Sequence, residues 1–487
     1  MSIFSNLQPS SVFKFFEEIS QIPRGSGEET EISNYLVNFA KERDLQFIQD
    51  EALNVIIIKP ATVCCENEGS VILQSHMDMV NEKNMGTLHD FSKDSLNLYI
   101  DGDFIKAKDT TLGADNGIGL AMSLSILDGN YKHPKLIVLV TTNEESGMTG
   151  AKMVNAELFK DSSYLINLDT AEEGYLTTSC SGGVRNIITI PILYDSVPTD
   201  CISFEVSIKG LMGGHSGSDI HLGLANSNRL LARVLHDLMQ DFEDQGYGLY
   251  LSYIAGGLKD NAIPREAYAR ISVLPQLEDT LKLVINNMQS AFKKEYREWE
   301  PNLSLTINEV KREEKCFKSE ITKNIVFALN TVPLGVFSSS KNGNTLSSNS
   351  IGIVTTKEDE VAIHSLTRSS FISQLDFLMG QIKYLASIIN ANYSEADSYA
   401  PWEYRESSKL QQVCTQTYKK MFGEDQIVTG THGGLECGIL YEKMPHLDIV
   451  SFGPNNFNLH TPEEKLSISS TLRVYDYLVT VLNNLEV

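Results

Sequence analysis

Long hydrophobic runs are missing. No stretch of the 487 residues stays apolar for the roughly 18 positions that a bilayer-crossing helix needs. Basic residues are in short supply, with 40 Lys and Arg against 63 Asp and Glu and a formal charge of -23. That balance argues against nucleic acid and against an anionic membrane as partner, because both attract basic surfaces. Cysteine is sparse and scattered: seven residues, at 64, 65, 180, 201, 316, 414 and 437, form no CxxC pair. A disulfide framework is therefore not expected, and a reducing compartment is. The opening residues, MSIFSNLQPSSVFKFFEEI, have no basic start followed by an apolar stretch, and Lys14, Glu17 and Glu18 interrupt them. No signal peptide is read there, and a cytoplasmic location follows by elimination.

What is present is an ordinary globular composition, 42% hydrophobic and 21% charged, in a chain too long for one core. The first third alternates helix-like and strand-like segments. Residues 11–20, 28–44 and 112–127 have helical character, and Met148–Leu158 is expected to be helical as well. Residues 54–59 (NVIIIK), 71–74, 136–141 (LIVLVT) and 164–167 read as strands, the third as one covered on both faces. This order predicts an α/β domain with a mostly parallel central sheet flanked by helices. After Ser181-Gly182-Gly183 the pattern changes to one-sided strands such as CISFEVSIK at 201–209, with helices near 226–240, 277–297 and 371–390. Past Tyr399-Ala400-Pro401 the α/β character returns. The expected organisation is a discontinuous domain over 1–182 and 399–487, interrupted by an inserted α+β domain over 183–398. A weak likeness between Asn261-Ala262-Ile263 and Asn349-Ser350-Ile351 suggests internal duplication of the insert.

Short polar motifs sit where the strands of such a sheet would end, the edge at which open parallel sheets bind ligands. In Ser75-His76-Met77-Asp78, alternation along a strand points His76 and Asp78 the same way. His76 can offer an imidazole nitrogen to a metal, and Asp78 can orient that ring. Gly113-Ala114-Asp115-Asn116-Gly117 precedes a helix, where Asp115 is either a plain helix cap or a carboxylate bridging two metals. Glu144 and Glu145 follow LIVLVT and diverge in direction, so that one can bind metal while the other handles a proton. Asp169 closes another strand. Thr461-Pro462-Glu463-Glu464 fits a capping box with Pro at the first helical position, which leaves His460 unexplained. Singly, each motif is more often solvated loop charge. Together, two imidazoles and several carboxylates at successive strand ends suit zinc, and also cobalt or manganese. Two divalent cations against Asp115, Glu145 and Asp169 leave one positive charge, which a bridging hydroxide neutralises.

These motifs, in this order, resemble the M20 metallopeptidase family, and within it the branch that hydrolyses aminoacyl-histidine dipeptides. The stretches concerned are IPRGSGEE, SHMDMV, TTLGADNGIG, TNEESGMTGA, NLDTAEEG, GLMGGHSG, THGGLECG and GPNNFNLHTPEE, which span nearly the whole chain. The resemblance implies a catalytic α/β domain with an inserted lid. It implies that His76, Asp115, Asp169, Glu145 and His460 hold two metal ions with Asp115 as the bridge. It makes Glu144 the general base and Asp78 the residue that orients His76. On the lid, His215 in Gly213-Gly214-His215-Ser216-Gly217 would stabilise the oxyanion, with Asn261, Arg368 and Gly434 as further substrate-binding candidates. The expected substrate is a dipeptide, Xaa-His and β-alanyl-histidine included, and a homodimer is left open. Two rival readings remain at this level: another M20-type hydrolase, such as a tripeptidase or an N-acyl amino acid deacylase, and a noncatalytic small-molecule binding protein on the same fold.

Overall fold

A computed structural model describes residues 3–63, 65 and 69–485. The chain divides into two compact units. One comprises Met1–Cys180, Trp402–Gly430 and Leu435–Val487; the other comprises Ser181–Pro401 and Thr431–Gly434.

The main sheet of the first unit has eight strands. Its centre consists of four parallel neighbours in the spatial order Lys135–Thr141, Ser70–His76, Ser162–Asn167, Asp448–Ser451. Antiparallel strands flank them: Val55–Lys59 and Gln46–Gln49 on one side, Tyr175–Cys180 on the other. Nearly every residue of the four central strands is buried, which is why they read as unbroken apolar runs rather than alternating ones. Helix Ala114–Asp128 lies on the Ser70–His76 strand, and helix Ser10–Ile19 packs on that helix. Val12, Phe13, Phe15, Phe16 and Ile19 form the buried stripe of the latter at helical spacing. Helices Lys409–Phe422 and Ile468–Asn484 pack together, the former against the Asp448–Ser451 strand. Because the four central strands run the same way, the segments that follow His76, Thr141, Asn167 and Ser451 emerge along one edge.

The helix expected over Met148–Leu158 is broken. Only Thr149–Met153 is α-helical; Val154 is extended, and Ala156–Phe159 forms a separate 3-10 turn. The side chain of Asn155 accepts a hydrogen bond from the Glu157 N–H and so starts a new turn in place of continuing the old one. The six described cysteines are free and buried; Cys64 lies outside the described residues. Among the described residues no helix is long and apolar enough to cross a membrane.

The second unit is built on a nine-stranded antiparallel sheet whose order has a mirror. One half is the strand Ile202–Lys209, helix Ser227–Asp244, strands Tyr250–Gly256 and Ala267–Val273, helix Glu278–Glu295 and strand Ser304–Val310. The other half is the strand Gly182–Pro191, helix Ser319–Thr331, strands Thr345–Thr356 and Glu360–Ser369, helix Ile372–Ile388 and strand Asn392–Tyr399. In each half the strands lie in the order fourth, first, third, second, and the two second strands meet at Gly256 and Val354. Asn261-Ala262-Ile263 and Asn349-Ser350-Ile351 do not occupy matching places in these halves. The former lies in the connection beyond a second strand, and the latter lies inside one. The first half is inserted between the first strand and first helix of the second.

Where the halves join, Gly257 has φ +74°, and a Cβ there would collide with the carbonyl oxygen of Gly352. Gly257→Ala is therefore expected to destabilise the second unit by more than about 1 kcal/mol. Calorimetry should show this as a lowered melting temperature, and an unchanged melting temperature would mean that the junction has slack.

Candidate active site and metal centre

The edge to which the four parallel strands point carries most of the acidic groups singled out above. His76 is the last residue of its strand, Glu144 and Glu145 lie just past Thr141, and Asp169 lies just past Asn167. Asp115 arrives from the start of helix Ala114–Asp128. His460 arrives on the turn between the short strands Asn456–Phe457 and Lys465–Ser467, which pair in a four-stranded sheet with the hairpin Leu98–Asp101 and Phe104–Ala107.

His76 Nε2 is 3.2 Å from Asp115 Oδ1 and 3.6 Å from Asp169 Oδ1. His460 Nε2 is 3.3 Å from the other oxygen of Asp115 and 2.9 Å from Glu145 Oε1. The donor atoms group into three sets, each within 4.8 Å: His76 with Asp115 and Asp169, Asp115 with Glu145 and His460, and His76 with Glu144 and Glu145. Asp115 belongs to the first two sets through different oxygens. This mix of imidazole nitrogen and carboxylate oxygen is the donor chemistry of zinc and its neighbours, so the residues present fit a metal pair.

Asp78 holds the geometry from behind. Its carboxylate lies 3.3 Å from His76 Nδ1 and accepts from the Ser26 hydroxyl at 2.8 Å and from the Glu144 and Glu145 N–H groups at 3.0 and 3.3 Å. One buried residue thus faces the imidazole, its backbone carbonyl 3.1 Å from His76 Nδ1, while its carboxylate accepts the N–H groups of the loop carrying both glutamates. Asn116 Nδ2 does the same for Asp169, donating at 2.6 Å.

The electrostatics of this cluster are unbalanced. Burial pushes the Glu144 carboxyl well above its ordinary range, with Asp169, Glu145 and Glu436 adding repulsion. Burial, and then the charge of Asp115, pushes Asp169 up to about 8. Asp115 is held low despite burial, because His460 and His76 donate to it. His460 is pushed up to about 11, first by its hydrogen bond to Asp115 and then by Glu145. Carboxylates outnumber imidazoles, so the cation-free cluster keeps protons that divalent ions would displace.

Four side chains beneath the site were not among the site residues read from the sequence, although each lies inside a quoted motif. Glu464 is one. Its carboxylate accepts the N–H groups of Leu112, Gly113 and Ala114 at 2.8, 2.9 and 3.0 Å and that of Asp115 at 3.3 Å. It satisfies four donors at the opening of helix Ala114–Asp128, and although burial raises its proton affinity, its ionised form complements the helix dipole. The local capping box expected over Thr461–Glu464 does not form, because residues 461–464 are a turn and the glutamate caps a distant helix instead. Asp115 is not the cap either; it has a non-helical ψ of 111° just inside the helix. Arg24, fully buried, donates to the Met77, Asp78 and Gly113 carbonyls and so ties the His76 and Asp115 segments together. Glu436, raised to about 7 by burial, accepts from Gln74 and Thr141 at 2.6 Å each. The fourth is Asn167, whose side chain accepts from the Asp169 N–H at 3.2 Å. No periodicity marks such groups; their signal is the buried partner each one finds.

The remaining candidates lie in the second unit. His215 Nδ1 accepts the Gly217 and Ser218 N–H groups at 3.2 and 3.1 Å, and the Asn261 carbonyl accepts from the Ser216 N–H. Arg368, 5% exposed, donates to the Tyr399 hydroxyl at 2.8 Å, and Gly434 packs against the Tyr399 ring with no room for a Cβ. His432 was not singled out. Its Nδ1 lies 2.8 Å from Ser181 Oγ and its Nε2 2.7 Å from Ser348 Oγ. Burial, then Arg368 and His215, lower it to about 3, so this imidazole is neutral across the physiological range.

The sequence model of peptidase family M20/M25/M40 matches residues 72–484. The cytosol non-specific dipeptidase of Escherichia coli K12 is 36% identical over 488 aligned residues, covering 100% of this chain and 99% of that protein. The crystal structure of aminoacylhistidine dipeptidase from Vibrio alginolyticus superposes with a TM-score of 0.88 at 35% identity, covering 98% of this chain and 97% of that one. The aminopeptidase PepT of Bacillus cereus shares the fold with a TM-score of 0.56 at 14% identity.

Two outcomes follow from this geometry. With Asp169 near 8 and Glu144 raised, zinc binding at pH 7 should release at least one proton, measured by titration calorimetry in buffers of different ionisation enthalpy; buffer-independent heats would contradict the assigned protonation. Glu464→Gln removes the charge on the Asp115 helix start and is expected to weaken metal binding about 10- to 100-fold. Competition with a chelator measures this, and unaltered affinity would rule out a positioning role.

Proposed function

The chain belongs to peptidase family M20/M25/M40, and from that membership we propose that it is a dipeptidase acting on short peptides, Xaa-His dipeptides and β-alanyl-histidine among them. The observation that carries this reading is Asp115, whose two oxygens serve two different donor triads. The two relatives that align over nearly the full length, both named as dipeptidases, support the substrate class.

His76 and Asp169 would hold one divalent cation, Glu145 and His460 the other, and Asp115 both. Zinc is the first choice, with cobalt and manganese fitting the same donors. Bound there, the cations would acidify a water molecule and polarise the scissile carbonyl. Glu144 then has the proton work. Its neighbours and its burial keep its affinity for protons high, so it can take one from the attacking water and return it to the leaving amine. Asp78 keeps His76 turned with Nε2 toward Asp115 and Asp169, since its own carboxylate faces Nδ1. In the second unit, Arg368 would take the C-terminal carboxylate of the substrate as a paired contact, which favours short peptides. His215, Asn261 and the Gly434 backbone would supply further polar contacts. The setting is the cytoplasm.

Metal-stripped protein should release histidine from β-Ala-His and Gly-His only after zinc, cobalt or manganese is added. Glu144→Gln is expected to lower kcat by about 10²- to 10⁴-fold while leaving metal content unchanged. Hydrolysis surviving that substitution would remove Glu144 as the base, and an inactive metal-loaded wild type would remove the dipeptidase reading.

A further inference from the structure

The connection from strand Ile202–Lys209 to helix Ser227–Asp244 carries His215 and lies within the second unit. It is folded on itself around the imidazole. His215 Nδ1 accepts the N–H groups of Gly217 and Ser218 at 3.2 and 3.1 Å. The His215 N–H donates to Asp219 Oδ2 at 2.7 Å, and the His215 carbonyl accepts from the Asp219 N–H at 3.0 Å. A neutral imidazole has one donor and one acceptor nitrogen. Two N–H groups aimed at Nδ1 make it the acceptor, so in the neutral ring the proton sits on Nε2.

These bonds orient the ring within its loop but do not place the loop. A two-residue pairing, Gly214 with Ile263 and His215 with Ala262, holds its middle. Both of its ends are held by one side chain. Glu300, only 2% exposed, accepts the Met212 N–H on Oε2 at 2.7 Å and the Ala225 N–H on Oε1 at 3.1 Å. The Met212 side chain is 54% exposed, so the clamp holds backbone there and not a packed residue. Ala225 is fully buried, and its N–H would be costly to leave bare.

We propose that Glu300 is a positioning residue: its carboxylate closes the loop over residues 212–225 and so sets where His215 presents its Nε2 proton to the substrate. This rests on the dipeptidase reading, in which His215 contacts the substrate. Glu300 is too deeply buried to do so itself. The mirrored half of the sheet serves as an internal control. There, helix Ile372–Ile388 and strand Asn392–Tyr399 are joined by Ile389, Asn390 and Ala391, with no acid among them. The place of the His215 loop in that half is taken by the inserted half. A half can therefore fold without this carboxylate, and the acid occurs where there is a His215 loop to hold.

Glu300→Gln keeps the size of the side chain but can accept only one of the two N–H groups. A donor that acts where charge develops lowers kcat when misplaced and leaves substrate binding alone, so this variant should lose about 10- to 100-fold in kcat with KM within about threefold of wild type. His215→Ala should lose about 10²- to 10³-fold. If Glu300 acts through His215, adding Glu300→Gln to His215→Ala should cost less than about threefold more. A general folding defect would instead act equally in both backgrounds. The second readout needs no activity. In the ¹⁵N spectrum of histidine-labelled protein, with the signal assigned by its loss in His215→Ala, the wild-type ring should carry its proton on Nε2, and Glu300→Gln should shift it toward a mixture of the two tautomers. An unchanged kcat, an equal loss in the His215→Ala background, or a ring spectrum that Glu300→Gln leaves as it was would each overturn the proposal. An inactive metal-loaded wild type would remove the dipeptidase reading, and the ring spectrum would then decide the clamp by itself.

Discussion

One carboxylate, that of Glu464, fixes the position of two elements that carry the metal-binding candidates. It lies four residues beyond His460, on the same turn, and it accepts the N–H groups of Leu112, Gly113, Ala114 and Asp115 at the start of helix Ala114–Asp128. Those donors have no partner inside the helix, and leaving them bare in a buried place would cost far more than a surface contact returns. The turn bearing His460 and the loop bearing Asp115 are therefore locked as one piece, although about 350 residues of chain separate them. Arg24 adds the third member by bonding to the carbonyls behind both His76 and Asp115.

That rigidity works against electrostatics. Asp78, Asp115, Glu144, Glu145 and Asp169 are held close together by backbone and side-chain contacts. Unequal surroundings then separate their proton affinities: Asp115 sits low between two imidazoles, whereas Asp169 and Glu144 sit high. Neighbouring carboxylates thus differ in proton affinity because of where they are buried and what donates to them, the condition under which acidic groups of one cluster can take different parts.

The parallel centre of the first sheet was legible because burial on both faces leaves apolar runs such as LIVLVT, and His76, Glu145 and Asp169 were legible because they end those runs. Four things were not. The Met148–Leu158 segment has helical composition, but Asn155 offers the backbone a competing local bond. Glu464 looked like the last residue of a capping box, and only the fold reveals that the helix it caps lies elsewhere. His432 and the rest of Thr431–Gly434 belong to the second unit although the sequence on either side belongs to the first; a four-residue excursion leaves no compositional trace. The mirror order of the second sheet is also a property of strand pairing, which the weak likeness of Asn261–Ile263 to Asn349–Ile351 misplaces.

The nesting of the chain dictates a schedule during synthesis. The half of the second unit running from Ile202 to Val310 is contiguous and can fold as soon as it leaves the ribosome. The half around it must keep its first strand, Gly182–Pro191, waiting until Tyr399 has emerged. The sheet beneath the catalytic candidates waits longer still, because one of its four central strands, Asp448–Ser451, is separated from the other three by the entire insert. A nascent chain accordingly holds His76, Asp115, Glu144, Glu145 and Asp169 long before it has His460 or the Glu464 carboxylate that caps the Asp115 helix, so hydrolytic competence would arrive late, after the insert has had time to fold.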